Sequence, residues 1–287
     1  MPARRPASAR TPAVPEGDTI ARAAAVLHEA LAGHTVTRFA TALAHLARTD
    51  HDSPLAGRAI ESCAARGKHL LLTFSGGLVL RTHLRMHGSW HLYLPGERWQ
   101  RPARAMRCVI ETATRVAVAF DVPDAEFIRA ADLGRARALA LLGPDLLAPD
   151  ADLTAIAARI SAERHRPLGQ VLLDQRVAAG IGNVYRSELL FLAGVHPDTT
   201  VSTVAPAVLA TVIETAVRLL RANALSAAGG RNTTARTAPR EALWVYNRTT
   251  RPCRRCGTPI RSAAPGPDAR RVYWCPRCQP AMRPGCA

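Results

Sequence analysis

The chain has 287 residues and a formal net charge of +16, with 48% apolar residues, and residues 1–13 hold no apolar run long enough for a signal peptide or a membrane helix. That length fits one large domain or two medium ones, each with its own core, and we expect two. The charge, still +13 without Arg4, Arg5 and Arg10, favours a polyanionic partner.

Residues 1–13 hold three arginines and three prolines and no acidic residue, so they cannot build a core. Periodicity begins after Asp18, where Ile20, Ala24, Leu27 and Leu31 share one helical face. Asp18 suits the N-cap and Gly33 the stop. Directly ahead stand Pro15 and Glu16. A proline within a chain has an inert tertiary amide nitrogen, whereas an N-terminal proline is a secondary amine that can form an iminium with an aldehyde carbon. We expect residues 1–14 to be a non-native or disordered extension, with Val14 as a misassigned start codon whose removal exposes Pro15. A retained basic arm and a terminus at Pro2 are the alternatives.

Short β-type runs follow at Val36–Phe39, His69–Phe74, Leu78–Leu84, Trp90–Leu94, Cys108–Glu111 and Val116–Phe120, with Ser75-Gly76-Gly77 as the turn of a hairpin. This spacing predicts a β-sandwich over residues 15–148. From Asp152 the pattern becomes helical, with segments Asp152–Glu163, Leu168–Val177, Val184–Leu192 and Val204–Arg221, which defines a second domain over 149–242. The stretch Ala222–Pro239 reads as a mobile loop. Between two of the helices, Gly180-Ile181-Gly182-Asn183 forms a turn whose following helix N-terminus suits a phosphate, although a simple tight turn is the commoner role of such glycines.

Residues 243–287 form a third module. Cys253-x2-Cys256-x18-Cys275-x2-Cys278 has the spacing of a closed four-sulfur zinc site, structural rather than catalytic. Arg254, Arg255, Arg261, Arg270, Arg271 and Arg277 surround it. Three further cysteines, Cys63, Cys108 and Cys286, carry no assigned role.

These elements, together with Arg66-Gly67-Lys68, the segment His83–Trp90, Leu142-Gly143-Pro144-Asp145, the segment Leu172–Arg186 and the segment Tyr273–Gln279, resemble the formamidopyrimidine-DNA glycosylase / endonuclease VIII family, and its endonuclease VIII branch in particular. The resemblance implies an α+β fold: an N-terminal β-sandwich flanked by helices, then a helix–two-turn–helix domain with a four-cysteine zinc β-hairpin. It implies a bifunctional DNA glycosylase and abasic-site lyase of base excision repair, acting by β,δ-elimination with oxidised pyrimidines favoured. It implies Pro15 as the Schiff-base nucleophile, Glu16 as acid and base, Lys68 and Arg270 as catalytic cations, and Asn183 as a phosphate ligand. Met86 is the candidate wedge into the base stack, although composition alone favours a core methionine; Arg85 is a DNA contact, and His83 and His87 read equally well as surface histidines. Damaged DNA is the expected partner, one structural zinc the expected metal, and a cytoplasmic, nucleoid-associated monomer the expected form.

Two departures stand out. Thr19 follows Asp18 where many members carry a second glutamate, and Asp121–Phe127 does not match the arginine–phenylalanine pair of the purine-lesion branch. A non-catalytic zinc-containing DNA-binding protein is the competing function. An N-terminal-proline enzyme for small carbonyl compounds is a weaker third.

Overall fold

The computed structural model describes residues 14–226, 231–234, 242–264 and 270–281; the extension before Val14 and Cys286 lie outside these residues. Helix α1 (Gly17–Leu31) opens the fold and buries Ile20, Ala24, Leu27 and Leu31, the face set by their spacing. Gly33 follows at φ +82°, a left-handed conformation that costs glycine little.

Strand β1 (Val36–Thr41), helix α2 (Ala44–Asp52) and strands β2 (Ile60–Arg66), β3 (His69–Phe74), β4 (Leu78–His83), β5 (Ser89–Tyr93), β6 (Met106–Thr112), β7 (Val116–Phe120) and β8 (Asp124–Arg129) complete the first unit. Two antiparallel four-stranded sheets, in orders β1-β6-β7-β5 and β2-β3-β4-β8, face each other. Between them lies one core that includes Leu70, Leu72, Phe74, Leu80, Ile110 and Ala117, closed on one side by α1. The expected sandwich is present, with two strands and one helix more than the sequence pattern reveals.

A short helix α3 (Arg137–Ala140) leads into the second unit, which contains α4 (Leu153–Ala162), α5 (Leu168–Val171), α6 (Asn183–Ala193) and α7 (Pro206–Ala224). Asp152 caps α4 by accepting from the N–H groups of Thr154 and Ala155. The expected helix over Leu168–Val177 is one turn only. Gly169 packs on the Pro197 carbonyl, and the Gln175 side chain bonds Leu173 O, Ile181 O and Gly180 N, so the chain is committed to two tight turns instead. Strands β9 (Arg261–Ala263) and β10 (Val272–Trp274) form the C-terminal hairpin.

Part of the loop after α7 lies outside the described residues, but Arg231 and Thr233 within it are buried, against the expectation of a wholly mobile segment. Among the described residues no helix is long and apolar enough to cross a membrane.

Candidate active site

Pro15 sits half-buried at the mouth of α1, and the chain turns inward at Glu16. Glu16 is fully buried, and its carboxylate accepts hydrogen bonds from the backbone N–H groups of Gly182 (2.9 Å), Val184 (2.7 Å) and Tyr185 (3.3 Å). The carboxylate therefore occupies the N-terminus of α6, where free donors and the helix dipole favour negative charge. The glycine turn predicted as an anion site thus receives an anion from the protein itself. Gly182 is required by packing, since a Cβ there would lie 2.3 Å from the Glu16 carboxyl carbon. Beside it, Gly17 N–H donates to Gly180 O at 2.9 Å.

Asp18 does not cap α1. The N-cap position belongs to Glu16, whose backbone carbonyl accepts from Thr19 and Ile20, and no side chain caps the helix. Asp18 instead is fully buried in a bidentate pair with Arg231, whose Nε and Nη2 donate to its two oxygens at 2.8–3.0 Å. Arg231 also donates to Thr19 Oγ1 at 2.7 Å and lies over the Tyr185 ring, 5.5 Å from its centroid. Nothing local in the sequence marks Arg231, because its partner lies more than two hundred residues away.

Lys68 projects from the turn between β2 and β3, half-buried. Gly67 holds that turn at φ +58°, and its N–H donates to Asp145 Oδ2 at 2.6 Å, so the Leu142–Asp145 motif fixes the lysine's loop. Burial brings the Lys68 ammonium down to about 8; Glu16 and Asp18 oppose the shift, while Arg270 and Arg231 reinforce it. Glu16, Lys68, Arg231 and Arg270 thus share one electrostatic neighbourhood.

Arg270 is exposed two residues ahead of β10, with its backbone carbonyl accepting from Arg186 Nη2 at 2.9 Å. The Asn183 amide donates to Arg271 O at 2.9 Å, and its oxygen accepts from Arg186. The residue expected to bind phosphate is therefore engaged with the hairpin segment that carries Arg270. Glu188, also on α6 and fully buried, accepts from the N–H groups of Trp244, Val245 and Tyr246 at 2.8–2.9 Å and from Thr233 Oγ1, binding the module to the second unit.

Met86 and Arg85 lie apart, in the turn between β4 and β5. Met86 is 51% exposed, which rules out a core role, and Arg85 sits at φ +52° with its guanidinium 2.7 Å from Asp124. His83 and His69 stack edge to face, and burial followed by neighbouring cations lowers them to about 4 and about 3, so both are neutral at pH 7.

The sulfurs of Cys253, Cys256, Cys275 and Cys278 lie within 4.8 Å of one another, with Cys253–Cys278 at 3.9 Å and Cys256–Cys275 at 3.5 Å. A tetrahedral ion with Zn–S bonds of about 2.3 Å requires sulfurs about 3.8 Å apart. The donor set and its size fit one such ion.

Residues 14–129 match the formamidopyrimidine-DNA glycosylase N-terminal domain, and residues 142–235 the formamidopyrimidine-DNA glycosylase H2TH domain. The chain is 44% identical over 277 residues to the probable endonuclease 8 2 of Streptomyces coelicolor, spanning 95% of this chain and 97% of that one. It is 40% identical over 269 residues to a DNA-(apurinic or apyrimidinic site) lyase of Mycolicibacterium smegmatis, spanning 93% and 100%. Its fold superposes on Lactococcus lactis formamidopyrimidine DNA glycosylase bound to DNA containing an abasic site, with a TM-score of 0.78 at 20% identity over 93% of this chain and 100% of that one. On these grounds the chain belongs to the formamidopyrimidine-DNA glycosylase / endonuclease VIII family.

Proposed function

We propose that the protein is a bifunctional DNA glycosylase and abasic-site lyase of base excision repair, with oxidised pyrimidines as favoured lesions, acting in the cytoplasm on chromosomal DNA as a monomer. The observation that carries this reading is the seat of Glu16: a fully buried carboxylate, adjacent in sequence to Pro15, held by three N–H donors and sharing its surroundings with Lys68.

In the proposed reaction the free amine of Pro15 attacks C1′ of the damaged nucleotide. The glycosidic bond breaks, its electron pair leaves with the base, and the base takes the proton given up by the amine; the C1′–O4′ bond then opens to leave the iminium, with Glu16 relaying a proton from solvent to O4′. The resulting iminium acidifies the 2′ proton, which Glu16 removes as the 3′ phosphate leaves. A second elimination releases the 5′ phosphate, with Lys68 and Arg270 stabilising charge on the leaving groups. Arg85 and Asn183 contact the DNA, and Met86 enters the stack. The pyrimidine preference is what the sequence's resemblance to the endonuclease VIII branch implies. One zinc ion on Cys253, Cys256, Cys275 and Cys278 fixes the hairpin that carries Arg270 and takes no part in the chemistry.

This chemistry requires a free Pro15 amine, so the reading includes a mature terminus at Pro15. Borohydride trapping on abasic-site DNA tests it. Protein beginning at Pro15 crosslinks, Pro15→Gly loses most of the adduct, and protein retaining residues 1–14 forms none through Pro15. Equal cutting by the retained and trimmed forms overturns the nucleophile; no crosslink from either form favours the non-catalytic alternative.

A further inference from the structure

The Met86 turn is one of two crossovers that run side by side between the sheets. β4 and β8 pair down to His83 with Asp124, while β5 and β7 pair at Ser89 with Phe120. Residues 84–88 and residues 121–123 therefore bridge the same gap between the same neighbouring strands. The longer crossover has two residues to spare, and these must bulge outward.

Both ends of the bulge are fixed. Leu84 is buried in the sandwich core, as is Val122 of the shorter crossover. Gly88 lies so close to that crossover that a Cβ would be 3.1 Å from the Asp121 carbonyl and 2.5 Å from that of Leu84. Two ion pairs then clasp the turn from opposite sides. Arg85, entering the tip, meets Asp124 at 2.7 Å. Arg101 meets Asp121 at 2.5 Å, donates to Ser89 Oγ at 3.1 Å and reaches the His87 carbonyl at 3.5 Å. Arg85 and Asp121 both hold left-handed backbone, at φ +52° and +50°, which non-glycine residues adopt at a cost and keep only where their surroundings impose it.

We infer that the Asp121–Asp124 crossover, acting with Arg101, is the positioning element that holds the Met86 turn erect for entry into the duplex. None of Asp121, Asp124 and Arg101 need touch the reacting sugar; they act through Met86. The inference rests on the proposed insertion of Met86. Disorder in this turn would therefore slow steps that require an opened duplex and spare those that do not.

The test uses protein beginning at Pro15 and a duplex with 2-aminopurine facing the lesion, whose fluorescence rises when the stack is opened. Arg101→Ala and Asp121→Asn, the latter compatible with left-handed backbone, are expected to lower kcat for excision from duplex about 10-fold and to reduce the fluorescence change. KM should move less than twofold, as should trapping on single-stranded abasic DNA. Arg101→Lys, which keeps the charge, should recover most of the loss, and the double variant should be no worse than the worse single one. Wild-type fluorescence and excision in both single variants, alongside a diminished signal in Met86→Ala, overturn the positioning role alone. An unchanged signal in Met86→Ala overturns the insertion reading and this inference with it. A parallel loss on single-stranded substrate shows general destabilisation and also overturns it.

Discussion

Lys68 and Gly182, both close to Glu16, each make a separate prediction. Lys68 is brought to about 8, chiefly by burial. Its cationic form is present below that pH and lost above it, so kcat/KM for strand cutting should fall with a limb near pH 8. Lys68→Arg should remove that limb from the accessible range. The same shift has a stability consequence. Between about pH 8 and 10.5 the unfolded chain binds a proton that the folded chain does not, so stability contributed by this group rises across that window. Lys68→Met should accordingly raise Tm by about 3 °C at pH 7, with the gain vanishing above pH ~10.5, as calorimetry would show. At Gly182 the argument is steric. Gly182→Ala places a methyl group 2.3 Å from the Glu16 carboxyl carbon, and excision should fall about 100-fold, comparable to Glu16→Gln, although residue 182 has no assigned contact with DNA. Single-turnover excision and trapping yield are the measurements, and a Gly182→Ala variant with normal excision would refute the seat as the active position of Glu16.

At the level of elements, the attachment of the zinc module is the most exposed to test. Glu188 accepts four hydrogen bonds with no water contact, and leaving those donors unpaired in Glu188→Ala should cost about 3 kcal/mol or more. Chelation should remove one metal per chain by native mass spectrometry. If the cluster holds its ion and Arg270 acts as proposed, chelation should reduce the second elimination ahead of the first, because Arg270 lies on the segment such an ion would secure. Legibility in the sequence followed element chemistry. The helix face of α1 and the buried β3 and β7 stand out because their apolar residues are dense. β2 reads Ile-Glu-Ser-Cys-Ala-Ala-Arg and β8 reads Asp-Ala-Glu-Phe-Ile-Arg, both too small or too charged to signal a strand. The β8 charges are tolerated because Asp124 and Glu126 pair with Arg81 on the adjacent strand at 2.5 and 2.6 Å. The site shows the same division. Pro15, Glu16, Lys68 and the cysteines are legible as local motifs. The Asp18–Arg231 pair is a long-range contact, and the same aspartate looks locally like a helix cap.

At the scale of the whole molecule, the two units are joined through α1. Gly17 N–H reaches Gly180, Glu16 reaches α6, Asp18 reaches Arg231, and Arg22 Nη2 donates to the Asn223 carbonyl at 3.0 Å. The +16 charge is spread along the chain. If about four of its cations neutralise phosphates, affinity for duplex DNA should fall about 100-fold between 50 and 200 mM salt, which a fluorescence-anisotropy titration would show.

The seat of Glu16 also orders events in time. During synthesis the sandwich strands, which end at Arg129, are made before the donors at residues 182–185. On the proposed mechanism, the nascent sandwich would hold Pro15 while the Glu16 carboxylate still lacks the donors that seat it. The proposed strand cutting then requires α6 to have docked, so a polypeptide interrupted between its two halves is expected to leave abasic-site DNA uncut.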